Sequence, residues 1–300
     1  MKKVILILLI LVLCAAPLAF TACSNVSQRD LLTMGYVCSP DGYELFTYQM
    51  NYLEIVNNKI VTTPVGTMTM KFEPLNNKTV TMTTATSEGK KSFTVANGTL
   101  LTISMQRSDN DDSVFSQVLY EGSFAPVFSY KRTKVGDEVK TMQVSYEGKY
   151  LYTKLFVNGV ETSSYRHKAS GCYDNEMLYA LVRASEVSAS SYTLSYTCVN
   201  PLTAHADGMT ITKTATGEEE IALFVPSDFT PTEEVPTYKT PYYLFQISTD
   251  NQYAGSYEMK VAQKSQTVNN GKLSIKNVKK IILSISEGHY EYLLSNVEIK

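Results

Sequence analysis

The chain has no tryptophan, three histidines and five cysteines in 300 residues. Without Trp it lacks the strongest side chain for stacking on flat ligands. Three histidines, at 167, 205 and 289, leave little material for a His-based metal centre or a proton relay. No arginine follows Arg183, and 27 basic residues face 29 acidic ones, a net charge of −2. Binding to phosphate backbones needs clustered Lys and Arg, so nucleic acid is not an expected partner. What is present is ordinary for a globular protein: 44% hydrophobic and 19% charged residues, too apolar for a disordered chain.

The first long apolar run stands at the N-terminus. Lys2 and Lys3 precede Val4–Leu13, which carries no polar side chain, and Pro17 and small residues follow. That layout is an export signal. The junction Phe20-Thr21-Ala22-Cys23 resembles the bacterial lipobox. The resemblance implies cleavage between Ala22 and Cys23 and acylation of Cys23, with residues 1–22 the signal peptide. Two or three acyl chains, palmitate among them, give stable attachment where one gives only marginal binding. The expected location is therefore extracytoplasmic, on the cell membrane or on an outer membrane if there is one. Loss of Lys2 and Lys3 makes the mature chain more acidic. Residues 23–41 read as a membrane-proximal tether and 42–300 as the folded body.

From Tyr43 onward a two-residue period dominates. Phe46, Tyr48, Met50 and Tyr52 alternate with more polar neighbours, as do Met68, Met70 and Phe72, and later Ile281, Leu283 and Ile285. Such runs suit half-buried strands. Asn97-Gly98, Asn158-Gly159 and Asn270-Gly271 read as two-residue hairpin turns. Glu88-Gly89, Glu121-Gly122, Glu147-Gly148, Asp207-Gly208 and Glu287-Gly288 mark further reversals. The pattern predicts an all-β antiparallel meander of about fourteen strands, more than one open sheet carries without curling or splitting. A curved sheet, a partly closed barrel and two packed sheets all fit. The polar stretch Lys131–Glu138 also leaves open a division into halves, 42–135 and 136–300.

One segment breaks the strand pattern. Met177, Leu178, Leu181 and Val182 have helical spacing, Asp174 can cap, and Arg183 suits a last turn, which predicts a short helix near 174–184. Four prolines between Pro226 and Pro241 predict an irregular crossing.

No catalytic motif emerges. There is no G-x-S-x-G elbow. Thr193-Leu-Ser-Tyr-Thr-Cys198 is one residue longer than the sortase strand motif that it resembles, which turns the Cys to the wrong face. Cys172 and Cys198 are the candidates for a disulfide, worth about 3 kcal/mol in the loop-entropy model; two buried thiols are the alternative. Asp109-Asn-Asp-Asp112 lacks the central Gly and closing Glu of a calcium loop and reads as a solvated turn. No metal, cofactor or catalytic residue is expected. The methionines on strand faces (Met50, Met68, Met70, Met82, Met105, Met142, Met259) predict core packing, with a soft apolar cavity the alternative.

Asp174, Leu178, Leu181 and Arg183, then Thr210–Lys213, Gly217–Glu219 and the closing Ser286–Leu293, resemble a group of uncharacterised exported bacterial β-proteins. The resemblance covers about the last half of the chain and implies a helix set between antiparallel sheet segments, with no activity attached. The expectation is a lipid-anchored envelope protein that is not an enzyme but a binding or structural module. Its partner would be an envelope protein. The alternative is a carrier holding a lipid or other apolar ligand between sheet and helix.

Overall fold

A computed structural model describes residues 38, 41–85, 89–168, 171–185, 187, 192–199, 206–224, 237–249, 257–270 and 273–300. Among the described residues the chain is all-β apart from one short helical segment. The first eight strands are β1 (Glu44–Val56), β2 (Lys59–Thr83), β3 (Lys90–Arg107), β4 (Ser113–Glu121), β5 (Pro126–Val135), β6 (Glu138–Glu147), β7 (Tyr150–Val157) and β8 (Val160–Lys168). β9 (Tyr173–Asp174) immediately precedes the helical segment, and after it come β10 (Tyr192–Val199), β11 (Ala206–Ile221), β12 (Tyr238–Thr249), β13 (Tyr257–Ala262), β14 (Gln266–Asn270), β15 (Leu273–Val278), β16 (Ile282–Glu287) and β17 (Tyr290–Ile299).

Fifteen strands form one sheet in the order β8-β7-β6-β5-β4-β3-β2-β1-β17-β16-β13-β12-β11-β10-β9, with β14 and β15 as a separate pair. Neighbours are antiparallel except β9 with β10. The β1–β17 ladder joins the start of the chain to its end, Glu44 facing Ile299. The hairpin at Gly136-Asp137 continues the ladder from β5 into β6 without a break.

A sheet this wide has to curl, and its inward face decides how. Phe46, Tyr48, Met68, Met70, Phe72, Leu101 and Ile103 alternate along β1–β3 and are buried in one core with residues of β11–β13 and β16. The helical segment fills the hollow. Asn175–Met177 is a 3-10 turn and α1 (Leu178–Ala184) follows it, with every α1 residue buried. The Asp174 side chain accepts a hydrogen bond from the Glu176 N–H at 3.0 Å, the cap expected there. Seven residues are too few for a stable isolated helix, so packing inside the sheet holds α1. The sheet stays open at its edges, yet its ends approach. Cys172 and Val199 pack on Met142, Val144 and Leu151, and the Tyr146 hydroxyl donates to Asp174 at 2.8 Å.

A buried ion pair fixes α1 in register. Arg183 Nη2 lies 2.7 Å from Glu44 Oε2, and both side chains are buried. The guanidinium also sits over the rings of Phe46 and Phe72 at 4.7 and 4.6 Å and donates to the Lys279 and Lys280 carbonyls. Arg183 was expected to act through the helix dipole; the structure gives it a carboxylate partner 139 residues away.

Two turn expectations fail. Asn97-Gly98 lies inside β3, and Asp207-Gly208 inside β11. At the first, β2 and β3 keep one register, with Asn76 facing Asn97 and Lys78 facing Val95, while Asn77 between them has φ 51°. Gly98 is needed there for close approach: a Cβ would stand 2.6 Å from the Tyr120 carbonyl oxygen. Asn158-Gly159 does make the β7–β8 turn, with φ of 49° and 82°. Among the described residues there are seventeen strands against the roughly fourteen expected, in part because a two-residue strand such as β9 leaves no periodic trace.

Candidate functional site

Between the curled sheet and the start of the helical segment lies a cleft of about 610 Å³. One wall comes from β3–β7: Met105, Val114, Lys131, Thr133, Lys140, Met142 and Leu155. The other comes from β13, β16 and β17: Tyr257, Glu287, Tyr290 and Tyr292, with Gly288 and His289 in the turn between the last two strands. Asn175, Glu176, Leu178 and Tyr179 close the inner end.

The chemistry is divided. Met105, Val114, Met142, Leu155 and Leu178 give an apolar wall. At the inner end Glu176 is buried and paired with Lys131. Glu287 is held above the usual carboxylate range by burial, although the Tyr257 hydroxyl bonded to it and the Lys131 charge oppose the shift. The Tyr179 hydroxyl is pushed well up by burial and then by the Glu176 and Glu287 charges. Asp174, below the cleft, is likewise raised by burial, with hydrogen bonds from Ser129 and Tyr146 opposing. Two carboxylates, one ammonium and the Tyr179, Tyr257 and Tyr292 hydroxyls thus form a compact polar end to an apolar slot.

That arrangement can bind a molecule with an apolar body and a polar, hydrogen-bonding end. Among the described residues there is no group of three or more His, Cys, Asp or Glu side chains disposed to hold a metal ion.

Of the residues singled out from sequence, Ala22 and Cys23 lie outside the described residues. Cys172 is buried immediately before β9, its thiol pushed up to about 12 by burial and the Asp174 charge. It donates to the Tyr173 carbonyl at 3.4 Å. The Cys198 backbone pairs with Tyr173, the residue after Cys172; the Cys198 side chain lies outside the described residues. The Pro226–Pro236 part of the crossing lies outside them too. Asp109–Asp112 forms the β3–β4 turn, with Asp109 on Arg107 and Asp111 on Lys134. The methionines divide: Met68, Met70, Met82 and Met259 are fully buried in cores, while Met105 and Met142 line the cleft.

Lys131, Tyr257 and Glu287 were not recognised as site residues. Lys131 looked like part of a polar break and Glu287 like a turn residue. Nothing local reveals that they meet, because they come together only when the sheet curls.

The sequence matches no protein-family model and no curated protein. Among solved structures, it is similar to a beta-barrel-like protein of a domain of unknown function, DUF1849, from Brucella abortus. The identity is 10%, the TM-score 0.45, and the likeness covers 86% of this chain and 98% of that one.

Proposed function

We propose that this protein is a lipid-anchored, extracytoplasmic binding protein that holds a small amphiphile in the cleft beside α1. The cleft carries the reading. Its volume falls within the range of about 300–1,000 Å³ common for small-molecule sites, and its mostly apolar lining with a few convergent polar groups is their usual chemistry. Of the two expectations drawn from the sequence, a binding or structural module for an envelope partner and a carrier of an apolar ligand, this geometry favours the carrier. The ligand's apolar part would lie on Met105, Met142 and Leu155. Its polar end would meet Glu287, Tyr257 and the Lys131–Glu176 pair. The anchor would be the acylated Cys23, resting on the lipobox resemblance alone.

Native mass spectrometry of the purified full-length protein tests the binding role. A co-purified lipid or fatty acid is expected on the wild type and at least tenfold less on Met105→Trp, which fills the slot. Protein that carries no ligand and takes up none when offered a lysophospholipid would overturn the reading. Mass spectrometry of the N-terminal peptide tests the anchor, and an unmodified Cys23 would sink it.

A further inference from the structure

The strand register places the turns at residues 57–58, 108–112, 136–137, 158–159 and 288–289 at one end of the sheet. The cleft opens at this end, since His289 and Tyr290 line it. The six exposed large aliphatic side chains among the described residues also gather there. They are Ile55, Val56, Ile60 and Val61 on the β1–β2 hairpin, Val135 beside the β5–β6 turn and Val160 beside the β7–β8 turn. At the opposite end Tyr43 and Lys300 bond each other's backbone, and no aliphatic side chain of that size is exposed there among the described residues.

The β1–β2 hairpin outreaches its neighbours. Its last bond on the β17 side is Leu53 N–H to the His289 carbonyl, and on the β3 side Ser108 N–H to the Val65 carbonyl. Beyond these, only β1 and β2 pair, as Glu54 with Val61, Ile55 with Ile60 and Val56 with Lys59, closed by Asn57 and Asn58 at φ 52° and 60°. Three pairs and a turn project about 10 Å at the rise of a strand. Ile55 and Ile60 share one face and are 76% and 71% exposed. The base of this finger is the cleft mouth: the Tyr52 ring lies 5.5 Å from that of Tyr290 and 5.9 Å from that of His289.

We propose that this rim, with the β1–β2 fingertip at its centre, docks on a phospholipid bilayer and holds the cleft mouth at the headgroups. A finger bare on both sides is too narrow to supply the roughly 800 Å² per partner of a stable protein interface. Its four apolar side chains match instead an interfacial layer about 5–10 Å deep, and Lys59 at the turn meets lipid phosphates. Of the acidic side chains at this end, Asp109, Asp111, Glu138 and Glu161 are paired with Arg107, Lys134, Lys140 and Lys154. Glu54 and Asp137 are exposed and would stay in the hydrated headgroup layer. Docking gives an amphiphile a route between bilayer and cleft that bypasses water. Only that exchange step rests on the carrier reading.

The lack of tryptophan makes the test clean. Full-length Ile60→Trp and Thr94→Trp proteins are reconstituted in phosphatidylcholine vesicles with brominated acyl chains. The N-terminus can hold both at the surface, so quenching reports the position of the single indole alone. Ile60→Trp is expected to shift to the blue and lose at least half its emission; Thr94→Trp, exposed on the other end of the sheet, should do neither. In Ile55→Asp/Ile60→Asp, transfer of a fluorescent lysophospholipid from vesicles to the protein should slow at least tenfold while the ligand already bound is retained. An unquenched Ile60→Trp overturns the docking proposal, as does a wild-type dimer that Ile60→Asp converts to monomer. Quenching in a protein that never carries a ligand supports docking and removes the carrier reading.

Discussion

Two hairpin arms leave the same sheet and meet opposite fates. The β1–β2 arm passes beyond its neighbours at Leu53 and Pro64 and stands bare, with Ile55 76% exposed. The β2–β3 arm passes beyond β4 at Gly98, the last residue to pair with that strand, and bends back over the outer face of β4–β6. There Met82 is fully buried, and Phe93 lies 4.9 Å from Phe128. Thr83 and Ala85 N–H groups donate to Gln117 and Gln143 at 3.3 and 3.1 Å. Both arms depart at a glycine with no room for a Cβ, Gly66 against the Gln106 backbone and Gly98 against Tyr120. Alternation of apolar residues is thus shared by both arms; what differs is whether a second apolar face lies within reach. A lone two-stranded ribbon is marginal in water, so the folded arm gains its stability from the β4–β6 face, while the bare one keeps its apolar surface for another partner.

The sharpest way to break this contrast is to empty the folded arm. Met82→Ala removes a fully buried side chain from the small core that includes Leu119, Phe128 and Tyr130. A loss of about 2–5 kcal/mol is expected, read as a lower urea midpoint. A loss below about 1 kcal/mol would mean that the arm does not depend on this packing.

The elbow comes next. Gly98→Ala forces a Cβ against the Tyr120 carbonyl and the Val95 side chain. Displacing a backbone carbonyl is expected to cost about 1–3 kcal/mol. The amides of residues 78–83 should lose hydrogen-exchange protection first, since the arm detaches before the sheet opens. Uniform loss across the sheet would show that the elbow is not a local device.

Much of this architecture can be read from the residues alone, and the failures have a common cause. Met68, Met70 and Phe72 announce a strand with one buried face, and they line the core. Asp174 announces a helix start and caps one. These signals are local. The Glu44–Arg183 and Lys131–Glu176 pairs span 139 and 45 residues, and no periodicity encodes a partner at that distance. Asn97-Gly98 misleads for another reason. The Asn-Gly pair that suits a hairpin turn equally suits a bend in a long ribbon, and only the presence of β4 beside it decides. The cleft is the least legible part, since its walls come from strands that meet only after the sheet curls.

A finer cut at the folded arm removes one hydrogen bond. Gln143→Leu takes the acceptor from the Ala85 N–H at the far end of the arm, while the apolar contacts of Met82 and Phe93 remain. The expected loss is about 1 kcal/mol. An unchanged urea midpoint would show that packing alone holds the arm.

The bare arm should respond least. Ile60→Asp places a charge at a position 71% exposed, paired across the ribbon only with Ile55. Surface changes of this kind stay within about 0.5 kcal/mol, because the side chain leaves water neither before nor after the substitution. The urea midpoint should therefore match the wild type, in contrast to Met82→Ala on the neighbouring arm. The same substitution should abolish quenching by brominated lipid when the reporter is moved to Val56→Trp. A fall in stability above about 1 kcal/mol would mean that the fingertip packs on the protein itself, and the two arms would then be two versions of one structural device. An unchanged midpoint with lost lipid contact separates them: one arm's apolar residues hold the fold, and the other's serve a surface outside it.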